Sequence, residues 1–263
     1  MYCKVSPASE DAHVWRAATI LRDMALDEID QAVLDDAAER LYPSAATSTI
    51  NRNFLTPVAS VLHYAARRGM CPWLRIQKRT EPRGRVRWAT PEEAEALIHA
   101  SPDRLRPLVV FLFVTGARLG EALRLDWTDV DLGARHIVLR DTKNRETYGV
   151  YMHERAFHEL AKLSRREGPV FGYVNRWGVY RDWAGTCEKA KITDFTPHDC
   201  RHTYATWLRK FGGRDLKALM DLGRWKDYKS VVRYAHVSSD EQKEAIDGLP
   251  IGAKSVQKRK SGG

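Results

Sequence analysis

The chain has 263 residues, of which 43% are hydrophobic and 29% charged, a globular rather than a disordered composition. Its 43 lysines and arginines exceed its 34 acidic residues, for a formal charge of +9, and such a balance favours a polyanionic partner because neutralised phosphates release condensed counterions. No apolar run approaches the roughly 18 residues of a membrane helix, and Met1–Trp15 carries no apolar stretch of the secretion-signal type, so a soluble cytoplasmic protein without a membrane partner is expected.

Residues 11–70 read as helical. Val14, Ala17, Ala18 and Leu21 recur at helical spacing, followed by Ile29, Val33 and Leu34. Pro43 and Ser44 break the chain, and a longer helix is predicted from Thr47 to Arg68 with Ile50, Phe54, Val58, Val61, Leu62 and Ala65 on one stripe. Pro57 should bend it, since proline lacks a backbone donor, and Gly69 should stop it. Arg75–Arg87, RIQKRTEPRGRVR, is strongly basic and reads either as a linker along a DNA backbone or as a solvated loop.

Thr90-Pro91-Glu92-Glu93 offers an N-cap hydroxyl, a proline at the first helical position and acidic residues in the first turn. Helical pattern then runs to about Leu123. Asp131-Leu132-Gly133 reads as a turn, His136–Leu139 and Tyr148–Met152 as two strands, and helices resume near Arg155 towards Gly248. The four cysteines, Cys3, Cys71, Cys187 and Cys200, form no C-x-x-C pair, which suits reduced thiols better than a disulfide framework or a zinc site.

Four separated elements carry chemistry. Arg118 stands between Gly116 and Gly120 at a helix start, where a guanidinium beside backbone donors can cradle a phosphate, and Glu121 lies one turn on to hold it. Lys143 occupies the loop between the two strands. His198 and Arg201 are three residues apart on a helix, so both can reach one anion. His198 and His202 have a spacing open to a metal, but no third ligand accompanies them. Trp225 and, nine residues on, Tyr234 in Arg-Tyr-Ala-His complete the set. Each has a plainer reading: a structural Arg–Glu pair, a solvated turn lysine, a packed aromatic.

The combination and its order resemble the catalytic signature of the tyrosine recombinase (phage integrase) family, over about residues 88–250. One departure is Arg224, at a position that is often glycine in that family; the histidine-or-tryptophan slot holds Trp225. The resemblance implies a mainly α fold: a helical core-binding domain over 1–80, a basic linker over 81–89, and over 90–250 a mostly α catalytic domain with a small β-hairpin insertion. A basic, disordered tail is expected over 251–263, and with no N-terminal arm-binding domain visible the chain reads as a minimal two-domain recombinase or a shortened one. Carried over by residue, the catalytic set is Arg118, Lys143, His198, Arg201, Trp225 and the nucleophile Tyr234, with Glu121 and His202 in support. DNA-contacting candidates are Arg52, Arg67, Arg68, Arg75, Lys78, Arg79, Arg83, Arg85 and Arg87.

The implied reaction is cleavage and rejoining of DNA through a covalent 3′-phosphotyrosine, with both arginines on the non-bridging oxygens, His198 assisting the tyrosine or the phosphate, and Lys143 protonating the departing 5′-oxygen. Neither a metal nor a nucleotide cofactor is expected, and the sequence has no G-x-x-x-x-G-K-[ST] loop. The implied partners are double-stranded DNA, three further copies in a homotetramer on two DNA sites, and an accessory DNA-bending protein. A helix over about Ser239–Leu249 would dock on a neighbour through Ile246 and Leu249, or pack on its own domain. Two other readings stay open: a DNA-binding protein without activity, and a type IB topoisomerase.

Overall fold

The computed structural model describes residues 8–82, 86–141 and 146–235. Lys143, Arg83, Arg85, the expected helix over 239–249 and the basic tail lie outside them. The chain divides into two compact units, Met1–Gly84 and Arg85–Gly263.

The first unit contains α1 (Ala8–Leu21), α2 (Gln31–Leu41), α3 (Thr47–Ile50) and α4 (Thr56–Ala66). Between α3 and α4 the chain runs through a π-helical turn, Asn51–Leu55, in which the Thr56 N–H reaches back five residues to the Asn51 carbonyl. The long helix expected over Thr47–Arg68 is thus three segments. The wider turn lies just before Pro57, which has no N–H to give to an α-helical ladder. Leu34, Ile50, Phe54, Leu55, Val58 and Leu62 form a buried core of this unit's own. Asn51 is buried and holds the incoming basic stretch: its Nδ2 donates to the Arg79 carbonyl and to Glu81, each at 2.8 Å, and its Oδ1 accepts from the Arg79 N–H.

The second unit opens on α5 (Pro91–Ala100), started by a capping box between Thr90 and Glu93. Next come α6 (Arg106–Thr115) and α7 (Leu119–Leu123), so the helical pattern predicted over 90–123 is interrupted twice, after Ala100 and at the left-handed Gly116. Every residue of α6 from Pro107 to Phe113 is buried. A helix apolar on all sides belongs in the centre of a core, and α5, α7, α8 and α10 pack around it.

A three-stranded antiparallel sheet follows, in the order β1 (Val130–Asp131), β2 (His136–Asp141), β3 (Glu146–Tyr151). Ile137 pairs with Val130 on one side and Val150 on the other, and Ile137 and Leu139 face the core. β1 was not legible in the sequence, being only two residues long. Helices α8 (Glu154–Ala161), α9 (Arg176–Ala190), α10 (Asp199–Lys210), α11 (Leu216–Gly223) and α12 (Tyr228–Val232) complete the unit. Among the described residues no helix is long and apolar enough to cross a membrane.

Candidate active site

Helix α6 ends at Gly116, whose φ of +59° is left-handed, and a Cβ there would lie 2.4 Å from the ring of Tyr204 on α10. Glycine is required on both counts. That tight turn delivers Arg118 to the N-terminus of α7. Glu121, 7% exposed, accepts from the Arg118 backbone N–H at 2.9 Å and from its Nη1 at 2.6 Å, while the Arg118 side chain remains 48% exposed. The carboxylate therefore orients Arg118 and leaves part of its donor fork open.

Helix α10 supplies three residues with different fates. His198, at its N-cap position, is exposed. Arg201 turns inward and is 3% exposed. Its Nη1 donates to the Gly116 carbonyl and its Nη2 to the Gly223 carbonyl, each at 2.5 Å, and the guanidinium lies over the Trp225 ring at 4.3 Å. Both carbonyls belong to turns that close helices, α6 and α11, and Arg201 is the clamp between them. Burial and the nearby Arg118 and Arg224 pull its pKa down to about 10, which still leaves it charged at neutral pH.

His202, half-buried on the same helix, meets the nucleophile candidate. Its Nδ1 is 2.5 Å from the Tyr234 hydroxyl, and its ring lies edge-on to that of His198 with 4.9 Å between centroids. Tyr234 follows α12 and is 1% exposed, packed with Ala205, Leu219 and Val231 and tilted 5.8 Å from Trp225. Burial pushes the phenol's pKa up to about 12. Burial first, and then the neighbouring His198, pull His202 down to about 4, and His198 is lowered for the same leading reason, with Arg201 next. Both imidazoles are neutral at neutral pH, and the phenol keeps its proton.

The structure thus brings Arg118, Glu121, His198, Arg201, His202, Trp225 and Tyr234 together. It also adds a residue that sequence reasoning noted only as a departure. Arg224 caps α11 in a left-handed conformation, φ +59°, and its Nη2 donates to the Thr115 carbonyl at 3.2 Å. Gly223 precedes it because a Cβ there would fall inside the Trp225 ring, 1.6 Å from its nearest atom. Among the described residues no group of three or more His, Cys, Asp or Glu side chains is placed to hold a metal ion.

The DNA-contacting candidates differ in availability. Arg52, Arg67, Arg68, Arg75 and Lys78 are exposed on the first unit, with Arg68 lying over the Tyr64 ring at 4.5 Å. Arg79 stands 3.9 Å from Glu39. Arg87 is committed to the second unit through a 2.6 Å pair with Glu93.

The phage integrase family model matches residues 87–241, more than half of the chain. Among curated proteins, the integrase of Salmonella phage P22 is 28% identical over 203 residues, 68% of this chain and 52% of that protein. The tyrosine recombinase XerD of Mycobacterium tuberculosis is 30% identical over 136 residues, 45% of this chain and 43% of that protein. The chain spans about half the length of these curated relatives. Among solved structures, the Tn1549 transposon integrase in complex with a circular intermediate DNA superposes with a TM-score of 0.69 at 16% identity, covering 93% of this chain and 95% of that one. A lambda integrase dimer bound to a core site gives 0.67 at 15%, covering 88% of each, and the XerA recombinase 0.54 at 20%, covering 94% of each. These likenesses establish the fold, mainly α with its small sheet.

Proposed function

The chain belongs to the phage integrase family, and on that premise we propose that it is a site-specific DNA recombinase that cuts and rejoins strands through a 3′-phosphotyrosine on Tyr234. The observation that carries this reading is the gathering around one tyrosine of two arginines, two histidines and a tryptophan drawn from three separate stretches of chain. That set suits phosphoryl transfer. A phosphodiester repels nucleophiles and its alkoxide leaves poorly, so the useful groups are cations that bind charge growing on the phosphorane oxygens. Arg118 presents an open donor fork for this, and Arg201 stands behind it in a place where charge is little screened.

Attack by the phenol breaks the bond to the 5′-oxygen, which leaves as a hydroxyl after protonation by Lys143, the residue the family pattern supplies. The tyrosyl phosphodiester conserves the bond energy, so a 5′-hydroxyl from a second duplex reseals the strand without nucleotide or metal. The substrate is double-stranded DNA, with the exposed basic residues of the core-binding domain, residues 1–80, along its backbone. Four copies would hold two sites together, the segment over 239–249 joining neighbours, with an accessory DNA-bending protein as a further partner and the cytoplasm as the place of action.

The test is a nicked suicide duplex from the flanks of the native locus, incubated in EDTA with wild-type protein and with Tyr234→Phe. A covalent adduct on denaturing gel, absent from the variant, supports the reading. DNA binding without an adduct leaves a binding protein, and an adduct that survives Tyr234→Phe names another nucleophile.

A further inference from the structure

The family pattern puts forward His198 as the histidine that helps the nucleophile, yet the imidazole that touches the phenol is the other one. His202 Nδ1 is 2.5 Å from Tyr234 Oη, a short hydrogen bond in a half-buried setting, whereas His198 meets His202 ring-edge to ring-face at the exposed start of α10. We infer that His202 is the group that takes the phenolic proton of Tyr234 when the nucleophile attacks. This rests on the recombinase reading and assigns a step within it.

The local charges agree with the direction of transfer. Facing His202 are His198, Asp199 and Arg201 on its own helix and Arg233 beside the tyrosine. Burial first, and then His198 and two cations against one carboxylate, disfavour an imidazolium, so the ring is neutral, and a hydrogen on Nε2 leaves the Nδ1 lone pair free to accept from the phenol. The same charges keep the DNA-free pair idle. Once a phosphate lies on the arginines, its growing negative charge offsets theirs, and the imidazole gains basicity at the moment the phenol attacks.

The step balances. The proton of Tyr234 passes to His202 Nδ1, a lone pair on Oη forms the bond to phosphorus, and the bond from phosphorus to the 5′-oxygen breaks. That oxygen departs with the electron pair and receives its proton from the general acid, the role given above to Lys143. In resealing, Tyr234 is the leaving group, and the imidazolium returns the proton to it. His202 is thus base in cleavage and acid in ligation, and no proton is consumed over a full exchange.

The experiment compares single-turnover adduct formation by the wild type, His202→Asn, His202→Ala and His198→Ala between pH 5 and 9. Two nicked duplexes are used, one with the ordinary 5′-oxygen and one with a bridging 5′-sulfur, which leaves without protonation. Gel shift and thermal melting check that each variant folds and binds DNA. Asparagine can still accept near the Nδ1 position but is not basic. The expected result is adduct formation about 10²–10⁴-fold slower in His202→Asn and His202→Ala, with a flattened pH profile. The sulfur duplex gives no rescue, since it relieves only the departure of the 5′ end, and added imidazole partly restores His202→Ala. The inference is overturned if His202→Asn cuts within a few-fold of wild type, if His202→Ala cuts faster, or if the sulfur duplex restores the variants in full. An inactive wild type instead removes the recombinase reading, and the inference with it.

Discussion

The guanidinium of Arg201 lies over the indole of Trp225 with 4.3 Å from its central carbon to the ring centroid. That stack helps a buried cation to persist here: it has the face of an aromatic ring on one side and the main-chain carbonyls of Gly116 and Gly223 as acceptors. Arg201 is therefore part of the framework as well as of the site, whereas Arg118 is held by a single side chain and opens outwards.

The two arginines should consequently separate by stability. Arg201→Ala strips donors from two buried carbonyls, at about 1–3 kcal/mol for each unsatisfied group. Arg118→Ala removes one arm of a pair with Glu121 whose cation is half exposed, worth about 1 kcal/mol or less. Urea denaturation is expected to show the large loss only for Arg201→Ala, although both variants fail to form the covalent adduct. Equal midpoints for the two would mean that Arg201 is no clamp.

Gly116→Ala should be damaging out of proportion to one methyl group. The position is left-handed, which costs a residue with a Cβ about 1–3 kcal/mol, and that Cβ would displace the Tyr204 ring. A lowered melting temperature and slowed adduct formation are expected together, because the same turn carries Arg118 and presents a carbonyl to Arg201.

Stability should depend on pH through the His202–Tyr234 pair. His202 is pulled down to about 4 in the fold, against about 6.5 in an unfolded chain. Below about 6.5 the unfolded chain binds the extra proton, so stability falls as pH drops from there towards 4. Tyr234 is pushed up to about 12 against about 10 unfolded, so its contribution is complete below pH 10 and is lost on the alkaline side. Melting temperatures of His202→Gln measured from pH 7 to 4 should fall less steeply than those of the wild type; parallel curves would dissociate the acid loss from this residue.

Salt dependence should sort the basic residues. Exposed Arg75 and Lys78, if each neutralises a phosphate, should each lower the slope of log affinity against log salt by about 0.9 when changed to alanine. Arg87 is tied to Glu93 at 2.6 Å, so Arg87→Ala is expected to leave the slope unchanged and to weaken the start of α5 instead. Fluorescence anisotropy titrations at several salt concentrations decide it, and a slope lowered by Arg87→Ala would show that this ion pair opens on DNA.

What the sequence by itself determined was the family and the mainly α architecture. It also determined which residue types stand in reach of a helix start or a turn: Arg118 between two glycines, His198 three residues before Arg201, and the Thr90 cap of α5. Those features are local, and helical spacing and capping depend on neighbours a few residues apart. Tertiary structure alone decided which histidine meets the phenol, that Arg201 faces inward, and that Arg224 reaches the end of α6. These contacts join residues 32, 85 and 109 positions apart. The α10 periodicity puts His198, Arg201 and His202 on neighbouring faces without saying which face meets α12, because that depends on how α6, α11 and α12 close around the helix.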